Sequence, residues 1–157
     1  MVLSTLHTRD SLSTPFRLLD MGAPPFMVAS SLQAVFAQRL LRAVCPQCAE
    51  PHHPNAQERA WLEAVAGPEA DAVQSVRGPG CSHCNGTGYQ GRRGIYEMLE
   101  MNADMSLAVQ RGDAGGFMAA ARESLRGQTL ADRSLALVKA GKTTLAEAMR
   151  IGVDQGD

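Results

Sequence analysis

Two stretches, Cys45-Pro-Gln-Cys48 and Cys81-Ser-His-Cys84, hold all four cysteines of the chain. A two-residue gap lets the backbone fold back so that both thiolates of a pair face one ion, and a second pair completes a tetrahedral set of sulfur ligands. The insert between the pairs, residues 49–80, exceeds the commonest zinc-ribbon spacing and has room for a helix of its own. Cys45, Cys48, Cys81 and Cys84 are therefore the candidate metal ligands, and the rest of the chain is expected to be organised around them.

Structural Zn2+ is the reading this donor set favours, because with four protein sulfurs in place no coordination position is left for water. A mononuclear iron centre has the same four-sulfur geometry and stays an alternative. Disulfides are disfavoured: no signal-peptide pattern opens the chain, and a reducing cytosol would keep such pairs as thiols. A thioredoxin-type redox motif would need only one pair, in a strand-to-helix setting. His52, His53 and His83 lie near the two knuckles and could substitute for a thiolate, but with four cysteines available they read as surface residues.

The second pair runs on as Asn85-Gly86-Thr87-Gly88. Gly86 and Gly88 can take positive φ without a Cβ clash, which lets backbone N–H groups turn toward the cysteine sulfurs. The pattern Cys-x-x-Cys-x-Gly-x-Gly is similar to the zinc region of DnaJ-type chaperones. Those proteins repeat the whole motif, whereas here Cys48 is followed by Ala49-Glu50-Pro51-His52, without glycines.

Composition sets the outer bounds. A chain of 157 residues, 45% hydrophobic and only 4% aromatic, makes one medium domain or two small ones with little aromatic packing. Fifteen basic residues against 16 acidic ones give no electrostatic case for a nucleic-acid or membrane-surface partner. No apolar run approaches the roughly 20 residues that span a bilayer.

Residues 1–8 are apolar and β-branched and read as a strand with no turn or cap before it, the look of a chain cut from a longer protein with Met1 as an added start. Residues 10–21 read as a helix with Phe16, Leu18, Leu19 and Met21 on its apolar side, Pro15 at its regular start and Gly22 at its C′ position. Pro24-Pro25 break the chain, and residues 26–35 read as an apolar helix. Over residues 34–44, Val35 and Phe36 favour a strand while Gln38 to Arg42 favour a helix; a strand ending at the metal is expected. Residues 55–66 make an amphipathic helix with Asn55 as N-cap and Trp61, Leu62 and Val65 inward. Residues 92–99 read as a strand.

The remainder is helical: 104–111 capped by Asp104, 113–125 with Phe117, Met118, Ala121 and Leu125 at helical spacing, and 129–140 with Leu130, Leu135, Leu137 and Val138 ended by Gly141. Gly115-Gly116 weaken the start of the second of these. Thr144-Leu-Ala-Glu147 is a capping box for a last helix through Ile151, and residues 154–157 are expected to fray.

The order of these motifs resembles the C-terminal part of the type II secretion and type IV pilus assembly ATPases: residues 2–8, 17–22, 24–48, 81–99 and 129–151 run in that family's order over nearly the whole chain. Residues 49–80 and about 104–125 are generic. The resemblance implies an α/β fold, the C-terminal remnant of a P-loop (RecA-like) ATPase core with an inserted tetracysteine zinc subdomain and a helical tail. The implied segments are 1–44 for the end of the core, 45–98 for the zinc subdomain and 99–157 for the helical tail. It also implies a cytoplasmic homo-hexamer, peripheral to the inner membrane through platform and recruiting proteins, which uses ATP and Mg2+ to drive pilin or pseudopilin assembly.

No G-x-x-x-x-G-K-[ST] occurs in the sequence; Gly141-Lys142-Thr143 mimics its end, but Ala136 stands where the first glycine must be. In the family the phosphate loop and acidic boxes would precede residue 1, so this chain alone is expected not to hydrolyse ATP. Ser4-Thr-Leu-His7-Thr8 resembles the family's His box, which implies a γ-phosphate contact for His7 in the parent; by chemistry alone a histidine paired with a loop carbonyl is the plainer reading. Arg9 stands where relatives commonly have asparagine. Gln38-Arg39 resembles the end of the core and makes Arg39 a nucleotide candidate, although arginines on amphipathic segments are more often solvated or acid-paired. Arg92 and Arg93 beside Tyr89 and Tyr96 are too few for a nucleic-acid surface and read as a strand after the knuckle. Two function classes result: a segment of an assembly ATPase, or a zinc-stabilised protein-binding module of chaperone type.

Overall fold

The computed structural model describes residues 1–153, with side chains to Ile151, so the expectation for residues 154–157 lies outside the described residues. Helices and short sheets are mixed along the chain, and packing divides the described residues into two compact units, residues 1–38 with 96–129 and residues 39–95 with 130–153. The last two helices fall in the same unit as the cysteines.

The first unit holds α1 (Thr14–Asp20), α2 (Pro25–Ser31), α4 (Ala103–Arg111) and α5 (Ala114–Ser124). Pro15 sits at the start of α1 and Gly22, at φ 92°, follows its C-cap, both as the sequence implies. Residues 10–13 stay outside the regular helix because Asp10 holds that loop: its Oδ1 accepts from the Ser13 N–H at 2.8 Å and its carbonyl accepts from the Thr14 hydroxyl at 3.2 Å. Helix α2 stops short of residue 35, since Leu32 is already extended and Val35 belongs to the strand that follows. Residues 1–8 form no strand; among the described residues no chain pairs with them, and an extended segment without a ladder leaves its N–H and C=O groups to water. Met21 is exposed rather than inward. Helix α4 is capped by Asn102, whose Oδ1 takes the Met105 N–H at 2.9 Å, not by Asp104, which lies in its first turn. Asp113 caps α5 in the same way through Gly116.

The core of this unit joins Val28, Leu99, Met105, Val109, Phe117, Ala121 and Leu125, with Phe16 packed edge-on against Phe117 at 5.2 Å between ring centroids. Glu97, buried at 3% exposure, is held there because both the N–H and the hydroxyl of Ser11 donate to its Oε1.

Strand β1 (Ala34–Val44) forms as expected and pairs with β4 (Tyr89–Glu100), which begins earlier than Arg92. In the second unit, β2 (Glu50–His52) and β3 (Ser75–Arg77) pair antiparallel across the base of the insert, with Pro51 opposite Val76. Three-residue strands are too short for a period-2 signal, which is why the sequence did not disclose them. Helix α3 (Ala56–Ala66) fills the insert and is capped by Asn55 as expected; Glu58 completes a full capping box by accepting from the Asn55 N–H at 2.9 Å. A 3-10 turn, Gly67–Ala72, follows.

Helices α6 (Leu130–Lys139) and α7 (Leu145–Val153) close the second unit. Leu62 and Ala70 of the insert pack with Leu135, Val138, Leu145 and Ala148 in one apolar cluster, with Trp61 and Val65 partly buried against it. Gly141, at φ 63°, ends α6. The expected capping box of α7 forms by half: Thr144 Oγ1 accepts from the Glu147 N–H at 3.2 Å, but the Glu147 carboxylate turns to Arg42 of β1.

Candidate metal centre

Strand β1 runs directly into Cys45, and a 3-10 turn, Ser82–Cys84, supplies the second pair. The four Sγ atoms lie within 4.8 Å of one another. Three of their separations are 4.0 Å for Cys45–Cys81, 3.9 Å for Cys48–Cys84 and 3.7 Å for Cys81–Cys84. A tetrahedron with metal–sulfur bonds of about 2.3 Å has edges of about 3.8 Å, so the donor set fits such an ion with little adjustment. No histidine joins the cluster: His52 Nε2 is 2.8 Å from Glu58 Oε2, His83 Nε2 is 2.8 Å from Gln90 Oε1, and His53 is exposed.

Backbone amides aim at the sulfurs, as the glycine pattern implies. The N–H groups of Cys81 and Gly88 both donate to Cys84 Sγ at 3.2 Å. Gly86 and Gly88 both stand at φ 76°. The sequence reading missed Gly78 and Gly80, which face them. A Cβ on Gly88 would lie 2.0 Å from the Gly78 carbonyl oxygen, and one on Gly80 would lie 2.5 Å from that of Gly86. Two backbone segments therefore approach each other with no room for a side chain. The Gly78-Pro79-Gly80 run before Cys81 was the available signal.

Burial works against a thiolate at Cys84, yet the N–H donors of Cys81 and Gly88 and the neighbouring thiols outweigh it and hold that pKa down at about 6. At Cys48 burial dominates over the Gly80 N–H, and the other three cysteines add to it, pushing the pKa up to about 12. A metal ion must therefore displace the proton that Cys48 retains at neutral pH, and below about pH 6 it must also displace the one on Cys84. Metal affinity is expected to fall as pH is lowered, more steeply below that value. Calorimetric titration in buffers of different ionisation enthalpy should show net proton release; binding independent of pH between 5 and 8 would contradict these thiol states.

The nucleotide candidates lie elsewhere. His7 is exposed in the irregular segment before α1, not at a strand's end, and Arg39 lies partly buried on β1; the two belong to different compact units. Arg92 and Arg93 are both exposed on β4, the strand that follows the second cysteine pair.

A four-thiol cluster at the end of a strand, followed in sequence by helices, defines the class: a tetracysteine module with a mixed helix and sheet fold. A family profile described as type II/IV secretion system protein matches residues 1–150. Over 153 residues the chain is 37% identical to the type II secretion system ATPase E of Vibrio cholerae, covering 96% of this chain and 29% of that protein. It is 42% identical over 113 residues to a type II secretion system protein E of Klebsiella pneumoniae, covering 72% of this chain and 22% of that protein. It is also 41% identical over 110 residues to the type IV pilus assembly ATPase TfpB of Acinetobacter baylyi, covering 69% of this chain and 18% of that protein. The chain belongs to the type II/IV secretion system protein family. It spans under a third of the length of these relatives, and the family match favours the secretion class over the chaperone-type module. No described helix is long and apolar enough to cross a membrane.

Proposed function

We propose that this chain is the metal-bearing C-terminal portion of an ATPase that powers type II secretion or type IV pilus assembly, and that Cys45, Cys48, Cys81 and Cys84 hold one structural Zn2+. The observation that carries this reading is the convergence of four sulfurs within 4.8 Å in a chain whose family match runs through residues 1–150. Zinc suits the set because it accepts four thiolates in a tetrahedron without redox chemistry. The ion would neutralise the thiolates and fix two loops; binding, positioning and sulfur solvation are the work of the cysteines and of the Gly80 and Gly88 amides.

In this reading the phosphate loop, acidic boxes, ATP and Mg2+ belong to a longer parent built on a P-loop core, assembled as a homo-hexamer at the cytoplasmic side of the inner membrane through platform and recruiting proteins. His7 and Arg39 are its nucleotide-facing candidates within this chain. Segments 1–44, 45–98 and 99–157 are the corresponding functional divisions. One histidine and one arginine do not replace a backbone phosphate nest, its lysine and its magnesium ligands. Titration of the chain with ATP and Mg2+ in a calorimeter is expected to give no binding heat. Micromolar affinity would overturn the assignment of the catalytic elements to other parts of the parent.

A further inference from the structure

Residues 42–44, the last turn of strand before the first metal ligand, are bonded to the junction between α6 and α7. The Val44 N–H donates to the Lys142 carbonyl at 3.1 Å, and the Thr143 hydroxyl donates to the Arg42 carbonyl at 2.8 Å. Glu147 of α7, 2% exposed, accepts both the Arg42 N–H at 3.0 Å and the Arg42 guanidinium at 2.6 Å. The guanidinium carbon lies 4.0 Å from the centroid of the Tyr89 ring, and the Tyr89 hydroxyl lies 3.0 Å from that of Thr144. One residue further on, the Cys45 N–H donates to the Gly88 carbonyl at 2.9 Å, and the Gly88 N–H donates to Cys84 Sγ. Hydrogen bonds at the two ends of one short piece of backbone, residues 42–45, thus join α7 to the sulfur cluster.

We infer that the metal centre and the last two helices are one cooperative folding unit, coupled through Arg42 and Glu147, so that metal occupancy is felt at α7. This rests on the reading that the four cysteines bind zinc. The coupling has a physical reason. Without an ion, the four sulfurs lose the bonds that hold residue 45 against residues 81–88, and the strand end that anchors Glu147 loses its fixed position. Glu147 is then a nearly buried carboxylate whose compensation depends on a backbone N–H and a guanidinium that have moved. Burial alone would raise its pKa, but Arg42 and Arg150 outweigh that and hold it below the ordinary carboxylate value of 4.5. The carboxylate therefore stabilises this junction above that value, and the contribution is lost as pH falls through the lower folded-state value. Helices α4 and α5 pack in the other compact unit and have no bond in this series.

Hydrogen exchange of the full chain, followed by mass spectrometry in zinc-loaded and chelator-stripped forms, tests the inference. Stripping is expected to lower amide protection in α6 and α7 by at least about ten-fold and in α4 and α5 by less than about two-fold, with recovery when zinc is returned. A Glu147→Gln variant, loaded with zinc, is expected to keep one ion per chain while α7 loses protection. Unchanged α6 and α7 protection after verified zinc loss would overturn the coupling, as would joint loss in α4 and α5. An unchanged α7 in Glu147→Gln would overturn the role of that carboxylate. The metal reading fails separately, and this inference with it, if the chain takes up no zinc on titration.

Discussion

Replacing Cys81 with serine is expected to reduce bound zinc from about one ion per chain to a small fraction and to melt the second compact unit. Structural zinc supplies apparent free energies of about 10–16 kcal/mol in zinc-finger peptides, whereas whole domains are stable by only about 5–15 kcal/mol. A site that loses one of four thiolates gives up a large share of the first figure, enough to exceed the margin of a small unit. The second core is modest: Leu62, Ala70, Leu135, Val138, Leu145 and Ala148, with no fully buried aromatic ring among them. Cys45→Ser should act in the same way, with Cys45 fully buried at the end of β1. Circular dichroism at the helix band should fall only in part, because α1, α2, α4 and α5 keep a separate core around Phe117. A serine variant with unchanged zinc content and unchanged melting would show that the cysteines are not a metal site.

The second large effect is expected at Gly88. Alanine there meets two obstacles: a φ of 76°, which strains any residue with a Cβ, and a backbone carbonyl 2.0 Å from where that Cβ would sit. The first costs about 1–3 kcal/mol. The second cannot be relieved by a rotamer change, since the obstacle is the Gly78 backbone; the loops must separate, and the N–H bond to Cys84 Sγ goes with them. A total loss of at least about 3 kcal/mol, with weaker zinc binding, is the expected outcome by thermal melting and metal competition. Gly86→Ala is the internal control, because Gly86 has the same φ of 76° but nothing within 4 Å of an added Cβ. Equal losses in the two variants would mean that the close approach of the two loops carries no weight.

How far the chain could be read from its residues depended on the range of the interactions. The four-cysteine cluster was legible because its signal is local: two residues between thiols, then a glycine at alternate positions. The α3 cap was legible for the same reason, since Asn55 and Glu58 are three residues apart. Residues 1–8 show the limit of propensity, which marks them as a strand although no partner strand pairs with them among the described residues. Helices α6 and α7 were legible as helices from their apolar period, but their partner was not. Arg42 and Glu147 are 105 positions apart, and nothing in either neighbourhood announces the other. Glu147 read as half of a capping box because local pattern offers no view of a guanidinium arriving from a distant strand. The Gly78–Gly88 approach escaped notice because close packing of two glycine loops is a property of the pair.

The effect of Cys81→Ser, the proton release and the coupling to α7 depend on a metal held by four sulfurs. The most direct test is elemental analysis by mass spectrometry of the folded chain, purified and refolded without added iron. One zinc per chain, bound at Zn–S distances of about 2.3 Å by X-ray absorption, is the predicted result. A fully folded chain containing no metal would contradict it.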